Sequence, residues 1–301
     1  MFKFKKEKLL HFLNSSFDEL YDCKSMLMHG GHNGPYLEKE SPLRASSHWL
    51  IILSKMADYP QYREIAIKRI SNLHKGIKAF HDDSQYNYIS RISEDEHVDA
   101  VNGTIGAAWV FEGLSYSLEL CPDAYLYKTA RQIYSNHRFN SKKGLWHRCL
   151  PNGDIGRIDQ TFNHQLWFSY GSARLFKNDK EVIKDVKKFI KNIDKNMGIY
   201  SSGLIYHPIP FKADIRSKVS LIAKTAIKLM KIPSEDYSSK LLDINYETNM
   251  YRKSIGYHCF NLFALSGLKK IFPSNKIFTN HKVKKVIEFI SSDEFLRGLD
   301  L

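Results

Sequence analysis

The sequence predicts an all-α protein, an (α/α)6-type toroid in which helical hairpins follow one another around a ring. Two types of helix alternate along the chain: one is rich in small, aromatic and polar residues, and the other is amphipathic and rich in lysine. The inner-type helices share a frame, because His48, Gly106 and His164 lie 58 residues apart, as do Trp109 and Trp167. A repeat of one helical hairpin is typical of closed or stacked repeat folds.

Individual helices follow from apolar residues that recur every three and four positions, bounded by glycine, proline and polar loops. Five of the helices are of the inner type, so the sixth hairpin either uses 5–28 or leaves the ring incomplete. All are assigned to one toroid domain, 1–301. Strand-like alternation is confined to short candidates such as GLIYHPI. The expected helices are 5–28, a helix from Pro42 to the turn at 58–60, 61–80, 99–120, 124–137, 159–176, 180–196, 213–231, 234–250, 254–271 and 279–298.

Composition narrows the functional class. A chain of 301 residues with 43% hydrophobic and 26% charged residues is typical of a soluble globular protein. We find no apolar run of membrane-spanning length and no secretory signal. Four cysteines without a CxxC pair indicate reduced thiols, so we expect a cytoplasmic protein. The net charge of +13 lies largely on the lysine-rich outer helices, which predicts a solvated surface and no nucleic-acid partner. An acidic glycan as ligand is also compatible with this net charge.

The most distinctive segment is 159–176, DQTFNHQLWFSYGSARLF. Its first turn and a half is polar and aromatic, and a small-residue helix follows. In a toroid of this kind the inner helices begin at one end of the barrel, so their N-terminal residues converge. Helix N-termini also favour anions and hydroxyl acceptors. We therefore expect the polar beginning of this helix to face a ligand.

A resemblance to a known family is carried by the segments VNGTIGAAWVFEGL, GLWHR, DQTFNHQLWF, GLIYHPI and GYHCFNLFAL. They resemble an uncharacterised bacterial family found among polysaccharide-biosynthesis gene sets, over residues 29–272. More broadly, the pattern is similar to the six-hairpin glycosidase superfamily, which includes unsaturated glucuronyl hydrolases and N-acylglucosamine epimerases. The resemblance implies the toroid fold and a sugar substrate.

Asp99 and Asp159 each precede an inner helix. Two carboxylates at one pocket could act as general acid and base in glycosidic bond cleavage. The alternative is that each caps its own helix, since aspartate is a favoured N-cap. In the glucuronyl hydrolases a pocket aspartate is the acid/base, and these two positions resemble it.

Three histidines, His48, His164 and His258, are expected at matching points of inner helices. Histidine is suited to proton transfer near neutral pH. The epimerase branch of the resembled superfamily implies acid/base work by histidines without a metal. The catalytic candidates are therefore Asp99, Asp159 and His164, with His48 and His258 in the pocket.

Aromatic and polar side chains near the helix starts could bind the sugar. Tryptophans stack on sugar rings, and Trp146 is the first choice because we place it in a loop beside His147 and Arg148. Arginines at these positions could meet a carboxylate or phosphate. Aromatic residues at helical spacing are otherwise core residues. The complete set of substrate-binding candidates is Arg44, His48, Trp49, Asn102, Trp109, Trp146, Arg157, Asn163, Trp167, Tyr257 and His258.

Metal and nucleotide chemistry are not expected. His258–Cys259 is the one adjacent His/Cys pair, and zinc needs three or four ligands. GGHNG lacks the lysine of a phosphate-binding loop. We expect no cofactor and no metal, and a sugar or oligosaccharide substrate, acidic sugars included. The favoured hypothesis is a glycoside hydrolase or epimerase-like enzyme of surface-polysaccharide metabolism. The alternatives are a non-catalytic glycan-binding or assembly protein and a zinc-dependent cyclase.

Overall fold

The computed structural model describes residues 2–33, 38–81, 85–92, 99–210 and 244–299. Within these ranges the chain is mostly helical, with short antiparallel strands. The helices are α1 (Phe2–Leu20), α2 (Pro42–Met56), α3 (Pro60–Phe80), α4 (Ile105–Leu120), α5 (Ala124–Asn136), α6 (Phe162–Leu175), α7 (Lys180–Asn196), α8 (Ile244–Ile271), α9 (His281–Phe289) and α10 (Asp293–Leu299). The strands are β1 (Tyr21–Asp22), β2 (Leu27–Met28), β3 (His32–Asn33), β4 (Glu38–Lys39), β5 (Phe139–Asn140), β6 (Leu145–Cys149) and β7 (Ile155–Ile158).

Six of the predicted helices, which correspond to α2 to α7, are confirmed to within a few residues at most ends. Their limits follow local chemistry: Pro42 and Pro60 begin α2 and α3, and Asp123 caps α5 through a bond from the Leu126 N–H, 3.1 Å long. The start of α4 lies at Ile105, later than predicted, because 99–104 forms a tight turn.

Three predicted helices are corrected. The first ends at Leu20, and the β1–β2 hairpin follows, with Met26 at a φ of 57° in its turn. The predicted 254–271 helix begins earlier, at Ile244. The predicted 279–298 helix is divided into α9 and α10, because Ser292 caps a new helix through the Phe295 N–H. The predicted helix 213–231 and most of 234–250 lie outside the described residues.

A three-stranded antiparallel sheet, β5–β6–β7, replaces the loop expected before the 159–176 helix. Phe139 pairs with Trp146, and His147 pairs with Ile158. The register shifts between His147 and Cys149. Glycines at positive φ, Gly144 at 67° and Gly153 at 88°, form the two connections. His147 thus lies opposite Ile158, so Arg148 and Asp159 each follow a member of this pair.

Glycines let successive inner helices approach closely. A Cβ on Gly113 of α4 would stand 2.6 Å from the Ser47 carbonyl oxygen of α2. A Cβ on Gly171 of α6 would stand 2.8 Å from the Ala108 carbonyl oxygen of α4. The two glycines thus make the same kind of contact with the preceding inner helix. Small residues of the inner-type helices thus lie where these helices pack.

The chain divides into two compact units. The first comprises 1–159, 163–192 and 264–275, and the second comprises 160–162, 193–263 and 276–301. The second has its own hydrophobic core, in which Leu204, Ile255, Phe289 and Phe295 pack together. No helix among the described residues combines the length and apolar composition needed to cross a bilayer. The assignment of 1–301 to a single domain stays a prediction.

Candidate functional site

Asp159 lies between β7 and α6 and is fully buried. Its carboxylate binds across to the beginning of α4. Oδ2 accepts the Thr104 N–H at 2.9 Å, and the Thr104 hydroxyl lies 3.4 Å away. Because the N-terminus of α4 carries unpaired N–H groups, this position stabilises a negative charge. Asp159 therefore stabilises the beginning of a neighbouring helix.

His164, in the first turn of α6, binds the same carboxylate. Its Nδ1 is 2.9 Å from Oδ2 of Asp159, and 15% of its side chain is exposed. A carboxylate can only accept this hydrogen bond, so Nδ1 carries the proton. The neutral imidazole then presents Nε2 as an acceptor. Asp159 thus fixes both the tautomer and the orientation of His164.

Arg148 of β6 joins the two predicted aspartates. Its guanidinium binds Asp99 Oδ2 at 2.9 Å and Asp159 Oδ1 at 3.3 Å. The same Asp99 oxygen accepts the Gly103 N–H at 2.8 Å. The other, Oδ1, is buried without a hydrogen-bond partner among the described residues. We call Asp99, Arg148, Asp159 and His164 the carboxylate–histidine cluster.

Gly103 makes this arrangement possible. Its φ of 62° lies in the left-handed region, and a Cβ there would overlap Asp159 Oδ2 and stand 2.7 Å from His164 Nδ1. Asn102, with a φ of 53°, precedes it in the same turn. Asparagine and glycine tolerate this region best. The segment VNGT therefore folds tightly enough for the Asp159–His164 pair to lie against its backbone.

The electrostatics of Asp159 bear on one predicted role. Burial alone would raise the pKa of this carboxyl, but the hydrogen bond from His164, together with the charge of His164 when it is protonated, outweighs burial. Arg148 and the Thr104 N–H add to the effect, and the pKa is held far below its ordinary value. A carboxyl group whose pKa is lowered in this way stays ionised near neutral pH, which favours the positioning of His164 over action as a general acid.

The other two histidines do not match His164. His48 lies about a turn deeper in α2 than His164 lies in α6, so the 58-residue offset does not make them equivalent. Burial, with a contribution from Arg44, lowers the pKa of His48 to about 4, and its ring meets Trp109 edge-on at 6.2 Å. His258 is fully buried, and both ring nitrogens bind backbone groups, those of Ile205 and Val286. The prediction that His258 lines a pocket is wrong.

Trp146 is also corrected. It lies on β6 and is fully buried among Tyr134, Phe139, Phe168 and Phe189. A ring so enclosed has no face left for a sugar, so Trp146 belongs to the hydrophobic core.

The remaining tryptophans are nearly buried. Trp49 is 8% exposed and packs edge-on against Phe17 of α1, which makes it a core residue as well. Trp109 has its face covered by the Arg44 guanidinium, 4.0 Å from the ring centre. Trp167, 7% exposed, lies edge-on to Tyr170 at 6.2 Å. Stacking of Trp109 and Trp167 on a sugar stays a prediction.

The remaining candidates for substrate binding differ in their surroundings. Arg44 forms an ion pair with Glu40, and Asn163 is buried with an Oδ1 that has no partner among the described residues. Arg157 is exposed on β7, and Arg148 on the paired strand reaches the carboxylates instead. Tyr257, in the second unit, is half-buried and packs on His207 with ring centres 4.8 Å apart.

Sequence reasoning missed Glu112. This residue of α4 is 2% exposed, and burial raises its pKa to about 7, although the Arg174 charge and a hydrogen bond from Tyr170 lower it. The signal was present, because Glu112 is the single charged residue in the apolar run IGAAWVFEGL. A lone carboxylate on an inner helix indicates a buried polar partner.

Comparisons with known proteins bear on the fold and on a link to carbohydrates. No protein-family model matches the chain. It is 28% identical over 272 residues to "Archaeal glycosylation protein Q" of Haloferax volcanii, covering 89% of this chain and 71% of that protein. Because this relative is archaeal, the bacterial origin implied by the resemblance stays a prediction.

Among solved structures, cellobiose 2-epimerase from Bacillus thermoamylovorans is similar, with a TM-score of 0.54 and 11% identity over 96% of this chain and 87% of that one. At this identity the likeness shows the fold alone. It confirms the predicted fold class, an all-α protein of the α/α toroid type.

Proposed function

We propose that the protein is a sugar-modifying enzyme of the epimerase or isomerase type, in which His164 transfers a proton. The observation that carries the proposal is the 2.9 Å contact between His164 Nδ1 and the fully buried Asp159 carboxylate. A buried anion behind an imidazole stabilises the imidazolium that forms when Nε2 takes a proton. His164 is the catalytic residue, and Asp159 is a positioning residue.

The geometry favours proton transfer over glycoside hydrolysis. Hydrolysis by two carboxyl groups requires one of them to be protonated and to donate to the leaving oxygen. Asp159 is held ionised, and Asp99 is bound to the same guanidinium. The two carboxylates are therefore arranged to hold the Arg148 guanidinium and the His164 imidazole in place. Of the two reactions that the sequence suggested, epimerisation or isomerisation fits this arrangement better.

The proposed reaction begins with His164 acting as the base. Nε2 of His164 removes a proton from the carbon next to a sugar carbonyl, and the electron pair of the C–H bond moves toward the carbonyl oxygen. The imidazolium, stabilised by Asp159, then returns the proton. Return of the proton to the opposite face of the same carbon, after the enediolate has turned that face toward His164, gives an epimer. Return to the neighbouring carbon, with the proton of the adjacent hydroxyl passing to the former carbonyl oxygen, gives an isomer. No redox cofactor is needed, because proton and electron pair both return to the sugar.

The comparisons support a carbohydrate as the substrate class. The relative's name refers to glycosylation, and the similar structure is that of a cellobiose 2-epimerase. Both names are compatible with a sugar substrate, and we propose a role in the assembly of surface glycans. A cytoplasmic location is part of the same proposal.

Deuterium exchange tests the function directly. The protein is incubated in D2O with free aldoses, N-acetylated aldoses and uronic acids, and proton NMR follows the signal of the carbon next to the carbonyl. We expect exchange with one class, reduced about 100-fold or more in His164→Gln. His29→Gln, which changes an exposed histidine, is the matched control and should exchange at the wild-type rate.

Three outcomes would contradict the proposal. Exchange that persists in His164→Gln would assign the base elsewhere. Release of new reducing ends from oligosaccharides, without exchange, would favour the hydrolase. Sugar binding that leaves every C–H signal intact would favour the non-catalytic glycan-binding alternative.

A further inference from the structure

A second polar group of residues lies deeper along the same inner helices. We call Glu112 and Tyr116 of α4, together with Tyr170 and Arg174 of α6, the inner cluster. Successive members on each helix are three or four residues apart, so they share one helix face with Trp109 and Trp167. Tyr170 donates a hydrogen bond to Glu112 and also bonds Tyr116. Two neighbouring helices thus present a continuous polar and aromatic face.

Arg174 is the unusual member. Its guanidinium lies 3.6 Å from the centre of the Tyr116 ring, and its Nε is buried without a hydrogen-bond partner among the described residues. No ion pair joins it to an acidic side chain within the described ranges. Arg174 is itself half-buried, and leaving its buried Nε–H donor without a partner is costly. An anion that accepts from this donor would remove the cost.

Neighbouring charges favour the same kind of ligand. Lys55 of α2 places its Nζ 5.3 Å from the centre of the Tyr116 ring, the ring that Arg174 also contacts. Glu112 is the one acidic side chain of the inner cluster, and near neutral pH it is partly protonated because burial raises its pKa to about 7. A protonated Glu112 donates a hydrogen bond instead of repelling an anion. Arg174 is thus the one basic side chain of the cluster, and its neighbours can supply further hydrogen-bond donors.

We infer that the inner cluster binds a negatively charged group of an oligosaccharide substrate, a carboxylate or a phosphate, through the Arg174 guanidinium. This group belongs to a different sugar unit from the one that reacts at His164, because Arg174 lies in the last turn of α6 and His164 in the first, about 15 Å apart. The inference rests on the proposed function for the identity of the ligand as a sugar. Arginine binds both groups with two parallel hydrogen bonds, which a planar fork makes geometrically selective. Arg174 is thus a specificity-determining residue, which sets the preference for an acidic over a neutral sugar.

Binding, and not turnover, is the readout that tests this inference. Titration calorimetry compares glucose, glucuronate, glucose 6-phosphate and inorganic phosphate as probes with the full-length chain. We expect one of the two acidic sugars to bind at least 10-fold more tightly than glucose. The carboxylate and the phosphate arms identify which anion the site takes, and inorganic phosphate tests whether the anion alone suffices.

Variants assign the preference to Arg174. Arg174→Gln is expected to weaken binding of the acidic sugar about 10- to 100-fold, the loss of one or two charge-assisted hydrogen bonds. Binding of glucose should change little. Arg174→Lys keeps the charge but loses the fork, and should be intermediate. Lys177→Gln is the matched control, because it removes a positive charge from the exposed end of the same region, where Lys177 pairs with Glu119 at 3.0 Å.

The outcomes separate this inference from the proposed function. Equal affinity for acidic and neutral sugars, or an unchanged acidic preference in folded Arg174→Gln, would overturn it even if His164-dependent exchange is observed. A lowered melting temperature without a change in the preference would show that Arg174 is only a structural partner of Tyr116. Arg174-dependent binding without any exchange would support the inference and contradict the proposed function.

Discussion

Asp159, between β7 and α6, and Glu112, on α4, are both carboxylates removed from solvent, 0% and 2% exposed. Their pKa values move in opposite directions. Asp159 lies against a guanidinium, an imidazole and a backbone N–H, and its pKa falls far below the ordinary value. Glu112 has the Tyr170 hydroxyl and the charge of Arg174, and burial raises its pKa to about 7.

This difference shows that burial alone does not decide the charge of a carboxylate. Desolvation disfavours the anion at both positions, and the number and distance of charged partners decide the outcome. In the carboxylate–histidine cluster both carboxylates bind one guanidinium, and Asp159 also binds the imidazole, which suits a rigid base. In the inner cluster the buried Nε of Arg174 has no hydrogen-bond partner among the described residues, which suits the binding of an anionic ligand.

The largest effect is expected from removing the charge of Asp159. In Asp159→Asn, His164 loses the partner that fixes its tautomer, and Arg148 keeps a single carboxylate. We expect deuterium exchange to fall roughly 100- to 10,000-fold through kcat, with little change in KM. The free energy of unfolding should fall by roughly 3 kcal/mol because a buried ion pair is broken. Exchange kinetics and urea denaturation measure the two quantities.

Asp154→Asn is the matched control for this prediction. Asp154 is exposed in the β6–β7 connection, a few residues before Asp159, and both quantities should stay at wild-type values. If Asp159→Asn retained wild-type exchange, the contrast between the two buried carboxylates would have no bearing on function.

The contacts that build the two clusters also explain which parts of the fold and of the site could be predicted from the sequence. Helix periodicity is local, so α2 to α7 could be predicted. The β6–β7 hairpin was expected to be a loop, and the contact of Arg148 with Asp99 joins segments that are distant in the sequence. The structure brings the three catalytic candidates together around Arg148, but their roles depend on contacts that the sequence does not encode within one segment.

Errors in the aromatic candidates have the same cause. Trp146 was expected to bind a ligand because it lies between turn residues and beside charged ones. Its burial arises from Tyr134, Phe168 and Phe189, which belong to three different helices. Glu112 was missed for the opposite reason, because it lies two turns beyond the helix start, where convergence of side chains was not expected.

A second prediction concerns the backbone under the carboxylate–histidine cluster. In Gly103→Ala the added Cβ overlaps Asp159 Oδ2, and φ stays in the left-handed region. We expect the free energy of unfolding to fall by roughly 2 kcal/mol or more, and exchange to fall with it as Asp159 and His164 are displaced. Gly256→Ala is the control: nothing lies within 4 Å of a Cβ there, and replacing a helical glycine should stabilise by about 0.5–1 kcal/mol. If Gly103→Ala and Gly256→Ala shifted the denaturation curve in the same direction, the close approach at Gly103 would be contradicted.

A third prediction uses the opposite directions in which the two pKa values move. Because the pKa of folded Glu112 is raised from 4.5 to about 7, its contribution to stability is fully present below about pH 4.5 and is lost as the pH rises through 7. A tenfold difference in acidity between the folded and unfolded states corresponds to about 1.4 kcal/mol. Glu112→Gln should therefore gain stability relative to the wild type between pH 5 and pH 8. Asp159 behaves oppositely, since its contribution is present above its ordinary pKa and is lost as the pH falls below it.

Urea denaturation at several pH values between 5 and 8 measures the Glu112 effect. Glu119→Gln, at the exposed end of the same helix, is the control and should show no such dependence on pH. A difference between Glu112→Gln and the wild type that stays constant over this range would show that Glu112 is ionised throughout, like Asp159.

The smallest effect is expected where α4 and α6 are joined at the surface. Lys177 and Glu119 form an ion pair of 3.0 Å, but their side chains are 62% and 57% exposed. Water screens such a pair, so a double-mutant cycle of Lys177→Gln and Glu119→Gln should give a coupling of about 0.2–1 kcal/mol, which decreases with added salt. Charged contacts would then be strong at Asp159, without an ion-pair partner at Arg174, and weak between Lys177 and Glu119. A coupling as large as the loss in Asp159→Asn would mean that solvent exclusion contributes little to the strength of the carboxylate–histidine cluster.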